Sequence, residues 1–428
     1  MRLKAPFKSL RDESGVALFM VISAMTVLTV LATEFTYVAQ VNARMAIDSV
    51  DQIKAHYLAK TGLKLSLLRL RAYKQLKSMS KKSNNSNAGA NSGASASGFS
   101  IPQEMLDQIW SFPFVYPIPT ELPGLTLSQK DEIKKFESES TLQGRFSATI
   151  ESQSNKLNLN TILTHFLPKP QASGNTRNSG NNAGNNPNTT TSNNSTNPTP
   201  SPSASVDIEK SREMIKNTIA NLINNKMITD IEFAEEYRDL NLDELFDNLL
   251  AWADYTHIPR NQSGLQKTPY KKAPFYSISE LHMIHPIDDK LYEVLSPNFT
   301  ATPTSGINVN TLQEPLLRGL FPKMTDEEVT EFYKFRDSIE QDNRFKKVDD
   351  FWNYLSKNVS SIGGQSSVDE LKKEFAAKGL TFTIDEESFK ITVVAEVNKA
   401  SRILEVWVAL DNENTNGSGL KIIFMRES

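Results

Sequence analysis

The chain contains no cysteine, so it can form no disulfide, no thiolate nucleophile and no Cys-ligated metal site. Histidine is scarce as well. Five occur, at positions 56, 165, 257, 282 and 285, which leaves little material for zinc binding or proton transfer. Neither sign of charge dominates: 47 Lys and Arg stand against 50 Asp and Glu, for a net charge of −3. That balance removes any global attraction to nucleic acid. An enzyme would have to use Glu235-Glu236 beside His257, or the pair His282 and His285. Adjacent acids read as a solvated helix face, and the two histidines have no third ligand in view. No enzymatic activity is expected. Proline is missing between Phe7 and Pro102, so nothing in that stretch interrupts a helix.

What is present begins with a span for lipid. Arg2, Lys4, Lys8 and Arg11 precede it, and from Ser14 to Thr33 there are 20 consecutive uncharged residues. As a helix these reach about 30 Å, one hydrocarbon core. Basic residues ahead of the span place the N-terminus on the cytoplasmic side and export the remainder. Val30-Leu31-Ala32 makes a poor cleavage site for a secretory signal. A plain signal anchor fits the hydropathy equally well. A third reading uses the boundary: a short hydrophilic leader ends at Gly15, directly before Val16-Ala17-Leu18-Phe19-Met20. Beyond the span, Val38, Val41, Met45, Ile53, Tyr57, Leu65, Leu68 and Tyr73 keep helical spacing. One helix over 16–77 is predicted, lipid-embedded first and amphipathic afterwards, with Gly62 as the place for a bend.

After this stalk the composition alternates. Residues 78–100 are Ser, Asn, Ala, Gly and Lys, and are predicted to be a flexible loop. Residues 101–168 open a folded domain. Phe112–Pro123 reads as irregular chain, and the alternation of Phe146, Ala148 and Ile150 with Ser147, Thr149 and Glu151 reads as a strand. Residues 169–205 are nearly all Asn, Ser, Thr, Pro and Gly, a low-complexity linker. Residues 206–375 carry helical periodicity, including Asp326–Ile339 with three carboxylates in its first turn. Residues 376–428 hold three β-branched runs, starting at Phe389, Arg402 and Leu420, as an antiparallel meander. The meander is expected to complete the sheet begun near Phe146. The fold class is thus α+β: a long transmembrane and stalk helix, an antiparallel sheet domain and a large all-helical insertion.

One internal repeat stands out. Asn158-Leu-Asn160-Thr161 and Asn308-Val-Asn310-Thr311 each precede an apolar run. Asn and Thr there can cap the chain that follows, and the first Asn can tie the entering strand to it. Together with the leader ending at Gly15, the stalk, Leu250-Ala-Trp-Ala-Asp254, Pro274-Phe-Tyr-Ser-Ile-Ser-Glu-Leu281 and Ile307–Thr311, this order of motifs resembles protein K of the general secretion pathway, the large minor pseudopilin of type II secretion systems.

The resemblance implies a pilin-like sheet domain whose helical insertion is SAM-like or helix-hairpin-helix-like. It implies cleavage by prepilin peptidase between Gly15 and Val16, a single pass through the inner membrane and a periplasmic C-terminal domain. Met20 then occupies the fifth mature position, where pilin-like subunits usually carry Glu. A subunit with nothing ahead of it needs no such carboxylate, which suits the tip of the pseudopilus. Expected partners are the other minor pseudopilins, packed along Met20, Val38, Val41 and Met45, with secreted substrates or the secretin as further contacts. No cofactor is expected: family members hold calcium through carboxylates, but Asp254 is followed here by Tyr255–Pro259, and Ser263–Lys267 has no acid. The alternative is a helix-hairpin-helix DNA-binding component of an uptake system. Its hairpin position, Phe321–Thr325, has no glycine, and Pro322 lacks an N–H, so no nucleic-acid partner is expected.

Overall fold

The computed structural model describes residues 13–85, 103–119, 126–140, 143–163, 208–259, 270–338, 343–411 and 419–428. Leader residues 1–12 and the low-complexity linker 169–205 lie outside them. The elements, in order, are α1 (Glu13–Asn85), α2 (Gln103–Ser111), β1 (Phe114–Tyr116), α3 (Leu127–Glu139), β2 (Arg145–Ser152), β3 (Leu157–Asn158), α4 (Ile208–Thr229), α5 (Ile231–Glu236), α6 (Leu242–Ala253), α7 (Asp289–Leu295), β4 (Phe299–Thr300), β5 (Ile307–Asn308), α8 (Glu314–Leu320), α9 (Asp326–Arg336), α10 (Val348–Asn358), α11 (Gly364–Ala377), β6 (Phe382–Thr383), β7 (Ser388–Val397), β8 (Ala400–Leu410) and β9 (Leu420–Glu427). Short 3-10 turns cover Leu159–Ile162, Ile278–Met283 and Ser360–Ile362.

The main sheet has strand order β1-β2-β7-β8-β9. All the helices from α4 to α11 lie between β2 and β7 in the chain, so the mixed α+β layout with a helical insertion is as the sequence implies. The chain divides into two compact units. The first comprises 1–149, 392–405 and 426–428, and the second comprises 150–391 and 406–425.

In the first unit, α1 runs unbroken for 73 residues, past the predicted end at 77. Beyond its apolar start, one side of it is buried: Ala55, Leu58, Ala59, Leu63, Leu70 and Tyr73 are at most 8% exposed. Each large side chain of that set contributes roughly 1.5–3 kcal/mol of burial. The helix continues through Gly62. A Cβ there would lie 2.6 Å from Val393 Cγ1 and 2.9 Å from Phe146 Cδ2, so the missing side chain lets the helix approach the sheet closely. Val393, Ala395 and Val397 on β7 alternate with half-exposed neighbours, as a strand with one buried face must. Arg69 of α1 donates to the carbonyls of Ile109, Trp110 and Phe112, which fixes α2 beside the stalk.

The stretch expected to be irregular contains β1, antiparallel to β2 with Phe114 opposite Ala148 and Tyr116 opposite Phe146. Phe-Val-Tyr has the β-preferring side chains for this, and the flanking Pro113 and Pro117 are tolerated because β1 is an edge strand.

In the second unit, two small parallel pairs, β3–β4 and β5–β6, accompany the helices. Ile215, Ile219, Leu222, Leu316 and Leu317 fill the packing of α4 and α8. An aromatic cluster follows: Phe332 stacks on Phe345 at 6.0 Å, Phe345 meets Phe351 edge-on at 5.6 Å, and Phe351 lies 5.4 Å from Phe382. α9 starts with a reciprocal cap, in which Thr325 accepts from the Glu328 N–H and Glu328 accepts from the Thr325 N–H.

Replacing Gly62 by Leu places a side chain where Val393 and Phe146 already sit. We expect a loss of about 1–3 kcal/mol, the usual range for overpacking, read as a lower melting temperature of the detergent-solubilised chain. Unchanged stability contradicts the close approach.

Candidate functional site

The Asn-x-Asn-Thr repeat marks a duplicated clamp, all of it in the second unit. In the first copy, Asn158 Oδ1 accepts from the Asn160 N–H at 2.9 Å, a tight turn at the end of β3. The Thr161 hydroxyl donates back to the Asn158 carbonyl at 2.7 Å. The second Asn reaches across the fold. Asn160 Oδ1 accepts from the Phe275 N–H at 2.9 Å, and its Nδ2 donates to the Phe275 carbonyl at 3.0 Å and the Ala301 carbonyl at 3.2 Å.

The second copy repeats the Asn turn and the Phe clamp. Asn308 Oδ1 accepts from the Asn310 N–H at 2.9 Å. Asn310 accepts from the Phe345 N–H and donates to its carbonyl, both at 3.0 Å.

The likeness continues past the clamped phenylalanines. Glu280 accepts from the N–H groups of Tyr276 and Ser277, and Asp350 accepts from those of Lys346 and Lys347. Both carboxylates stand five residues after their Phe and start the next helical segment. On the returning strands, Thr300 Oγ1 accepts from the Thr302 N–H and Thr383 Oγ1 from the Asp385 N–H, each at 3.1 Å. The insertion is therefore two copies of one motif: strand, Asn turn, helices, clamped Phe, helix, parallel strand. Sequence reading found only its first four residues. The rest is visible in retrospect as Phe275-x-x-Ile-x-Glu-Leu281 against Phe345-x-x-Val-x-Asp-Phe351.

The copies differ in what surrounds the first Asn. Asn308 Nδ2 donates to Glu386 Oε1 at 2.8 Å, and Thr311 Oγ1 donates to the same oxygen at 2.7 Å. The Ser152 hydroxyl donates to Glu386 Oε2. Glu386 is 1% exposed, so these bonds replace the water its carboxylate has lost. The other motifs form a network. Trp252 Nε1 and Lys271 Nζ both donate to Glu280, at 3.0 and 2.8 Å. Burial raises the Glu280 pKa, but bonds from Lys271, Trp252 and the Tyr276 N–H outweigh it and hold the group below its usual range. Asp254, buried, takes Arg212 at 2.5 Å and the Thr256 N–H at 2.8 Å.

Three of the five residues considered for catalysis make ion pairs or ring contacts. Glu236 pairs with Lys290, His257 with Asp247 at 2.7 Å, and His282 stacks on Tyr292 at 3.8 Å. Among the described residues no group of three or more His, Asp or Glu side chains could hold a metal ion. At the hairpin position between α8 and α9, the N–H groups of Phe321, Met324 and Thr325 bond to the Leu317 carbonyl, the Phe321 carbonyl and Glu328. They are not directed at a ligand.

On α1, residues from Gly15 onward form the one described helix long and apolar enough to cross a membrane. Gly15, Val16 and Met20 lie exposed at its start. Val41 and Met45 precede Ala59 and Leu63 by eighteen residues, five turns at about 3.6 per turn, so they share a side with residues that are buried further along.

A long apolar helix thus precedes an antiparallel sheet, and a helical insertion separates β2 from β7 in the chain. Residues 307–379, most of the second copy of the clamp motif, match the model of the family Type II secretion system (T2SS), protein K. Among curated proteins nothing matches the chain. Among solved structures the chain is similar to the GspK-GspI-GspJ complex from the type 2 secretion system of enterotoxigenic Escherichia coli. The match has 14% identity and a TM-score of 0.48, and covers 90% of this chain and 99% of that one.

Two outcomes test the site. Asn310→Ala leaves the buried Phe345 N–H and carbonyl without their partner, and we expect a loss of about 1–3 kcal/mol in urea denaturation, with Asn160→Ala behaving alike. Glu328 provides a pH test. Burial raises its pKa, yet bonds from Ser361, the Thr325 N–H and Ser360 bring it down to about 2, from 4.5. A depressed carboxylate stabilises above its unfolded value and loses that contribution as pH falls through the folded one. Stability should therefore drop between pH 4.5 and about 2, and Glu328→Gln should flatten that part of the profile.

Proposed function

We propose that the chain is a minor pseudopilin that caps the tip of a type II secretion pseudopilus, initiates its assembly and supports export across the outer membrane. The observation that carries this reading is the protein K match over 307–379, downstream of an N-terminal helix apolar enough to span a bilayer. In this reading prepilin peptidase cuts after Gly15 and Val16 becomes the N-methylated mature terminus. The span stays in the inner membrane as a single-pass anchor, and the two units work in the periplasm as part of a heteromeric complex with other minor pseudopilins. Met20 supports the tip position. A carboxylate there costs several kcal/mol in hydrocarbon unless a neighbour's amine pairs with it, and Met avoids that cost. The stalk residues Val38, Val41 and Met45 are proposed to pack against sister helices, with the Asn-x-Asn-Thr turns holding the insertion's shape.

Mass spectrometry of the membrane-extracted protein should show a mature chain starting at Val16, and Gly15→Leu should leave the leader attached. An intact Met1, or a start after Ala32, contradicts the reading. Co-purification with the sister pseudopilins should survive in the wild type and fall for Val41→Asp with Met45→Asp. A homopolymer of this chain along a whole filament rules out the tip assignment.

A further inference from the structure

The half of α1 beyond the membrane span has an outer side as well as the buried one. Val50, Ile53, Tyr57 and Leu68 are 48%, 57%, 64% and 59% exposed. They recur at three- and four-residue steps, with Thr61 and Lys64 filling the interval and Arg71 continuing it, so one seam runs along α1 from 50 to 71. Leu68 and Arg71 lie five turns, at about 3.6 residues each, past Val50 and Ile53. This seam is distinct from the line through Val41 and Met45, which continues into the buried Ala59 and Leu63.

The charge along it is of one sign. No Asp or Glu occurs between Asp51 and Glu104, while seven Lys or Arg occur from 52 to 80. Lys60, Lys64 and Arg71 are exposed on or beside the seam. Lys60 Nζ lies 5.9 Å over the Tyr57 ring, so the cationic and apolar parts form one surface. A helix face whose periodic apolar residues sit among cations is complementary to another helix with carboxylates at matching steps.

We propose that this outer seam of α1 is the docking face for a partner stalk helix that presents Asp or Glu side chains to Lys60, Lys64 and Arg71. The inference rests on the pseudopilin reading and deepens it: it assigns the partner a chemistry and places it on the side of α1 opposite the buried one. A phosphate-bearing partner is less well matched. Backbone phosphates are bound by positive charge alone and give no use to an apolar line through Val50, Ile53 and Leu68.

The test uses the full chain co-expressed with the sister minor pseudopilins, extracted in detergent and treated with a carbodiimide, which joins a lysine amine only to a carboxylate in contact with it. The expected product is an amide between Lys60 or Lys64 and an Asp or Glu of a sister stalk. Lys60→Glu with Lys64→Glu and Arg71→Glu should lower retention of the sister subunits about tenfold. The corresponding Gln variants should lower it less, and Tyr57→Ala with Leu68→Ala should lower it without a change of charge. These positions are exposed, so the melting temperature should stay unchanged, and a variant that unfolds is replaced by its Gln counterpart. If the wild type retains the sister subunits but crosslinks map elsewhere and charge reversal changes nothing, the docking face is wrong and the pseudopilin reading stands. If the wild type retains no sister subunit, the pseudopilin reading falls and this face with it. Binding of duplex DNA or of phosphatidylglycerol vesicles that the triple reversal abolishes, with sister retention unaffected, also overturns the proposal.

Discussion

One uninterrupted helix has to suit several surroundings in succession, and the rest of the structure follows from that constraint. From Gly15 to Thr33, α1 offers only apolar side chains and Ser or Thr hydroxyls that bond back to their own helix, as Thr29 does to the Met25 carbonyl. Such a segment leaves no backbone or hydroxyl group unsatisfied in lipid. Further along, the same helix must bury one side under its own domain. Gly62 and the small residues Ala55, Ala59 and Ser66 give that side a shallow surface, and Ser66 satisfies its hydroxyl on the Gly62 carbonyl. The opposite side stays in water and carries the cations. A break in the helix would uncouple these faces, and no proline occurs between Phe7 and Pro102 to cause one.

The second unit is organised by a different rule. The second Asn of each Asn-x-Asn-Thr turn binds backbone rather than side chains, so each clamp is held with little dependence on what the intervening residues are. Asn160 clamps a phenylalanine 115 residues on, and Asn310 one 35 residues on. Closing the longer stretch costs only about 1 kcal/mol more, since loop-closure entropy grows with the logarithm of length. Three hydrogen bonds from Asn160, each worth roughly 0.5–1.5 kcal/mol net, offset that difference. This is how one motif accepts insertions in its first copy, including the Asn- and Ser-rich stretch, and remains the same motif.

Much of this was legible in the sequence because it depends on periodicity. The 3.6-residue pattern of α1, the alternation at Phe146–Ile150 and the β-branched runs after Phe389 are local signals, and they gave the layout of the fold. Two features were hidden. β1 is three residues between prolines, too short for a pattern, and exists because β2 offers it a ladder. The partners of Asn160 and Asn310 are set by the folded chain, so the repeat could be seen while its purpose could not. Sequence reading assigned the Asn residues to local capping, whereas only the first of each pair acts locally.

The two units also differ in what they leave for others. Asn158, Asn160, Asn308 and Asn310 all make hydrogen bonds inside the second unit, and the N–H groups of Phe321, Met324 and Thr325 are engaged there too. A group already bonded and buried gains little from a ligand, because the old bond must break first. The outer side of α1 is in the opposite condition: its apolar atoms are still hydrated and its ammonium and guanidinium groups face water. Covering that surface releases hydration without breaking an internal bond, so association is more favourable there than on the clamps. The position of α1 at the start of the chain then matters, because a helix anchored in a bilayer meets other anchored helices side by side. Anchoring removes much of the translational and orientational freedom that association would otherwise cost. A seam of a few apolar and ionic contacts, too weak to hold two free proteins together, can then be sufficient.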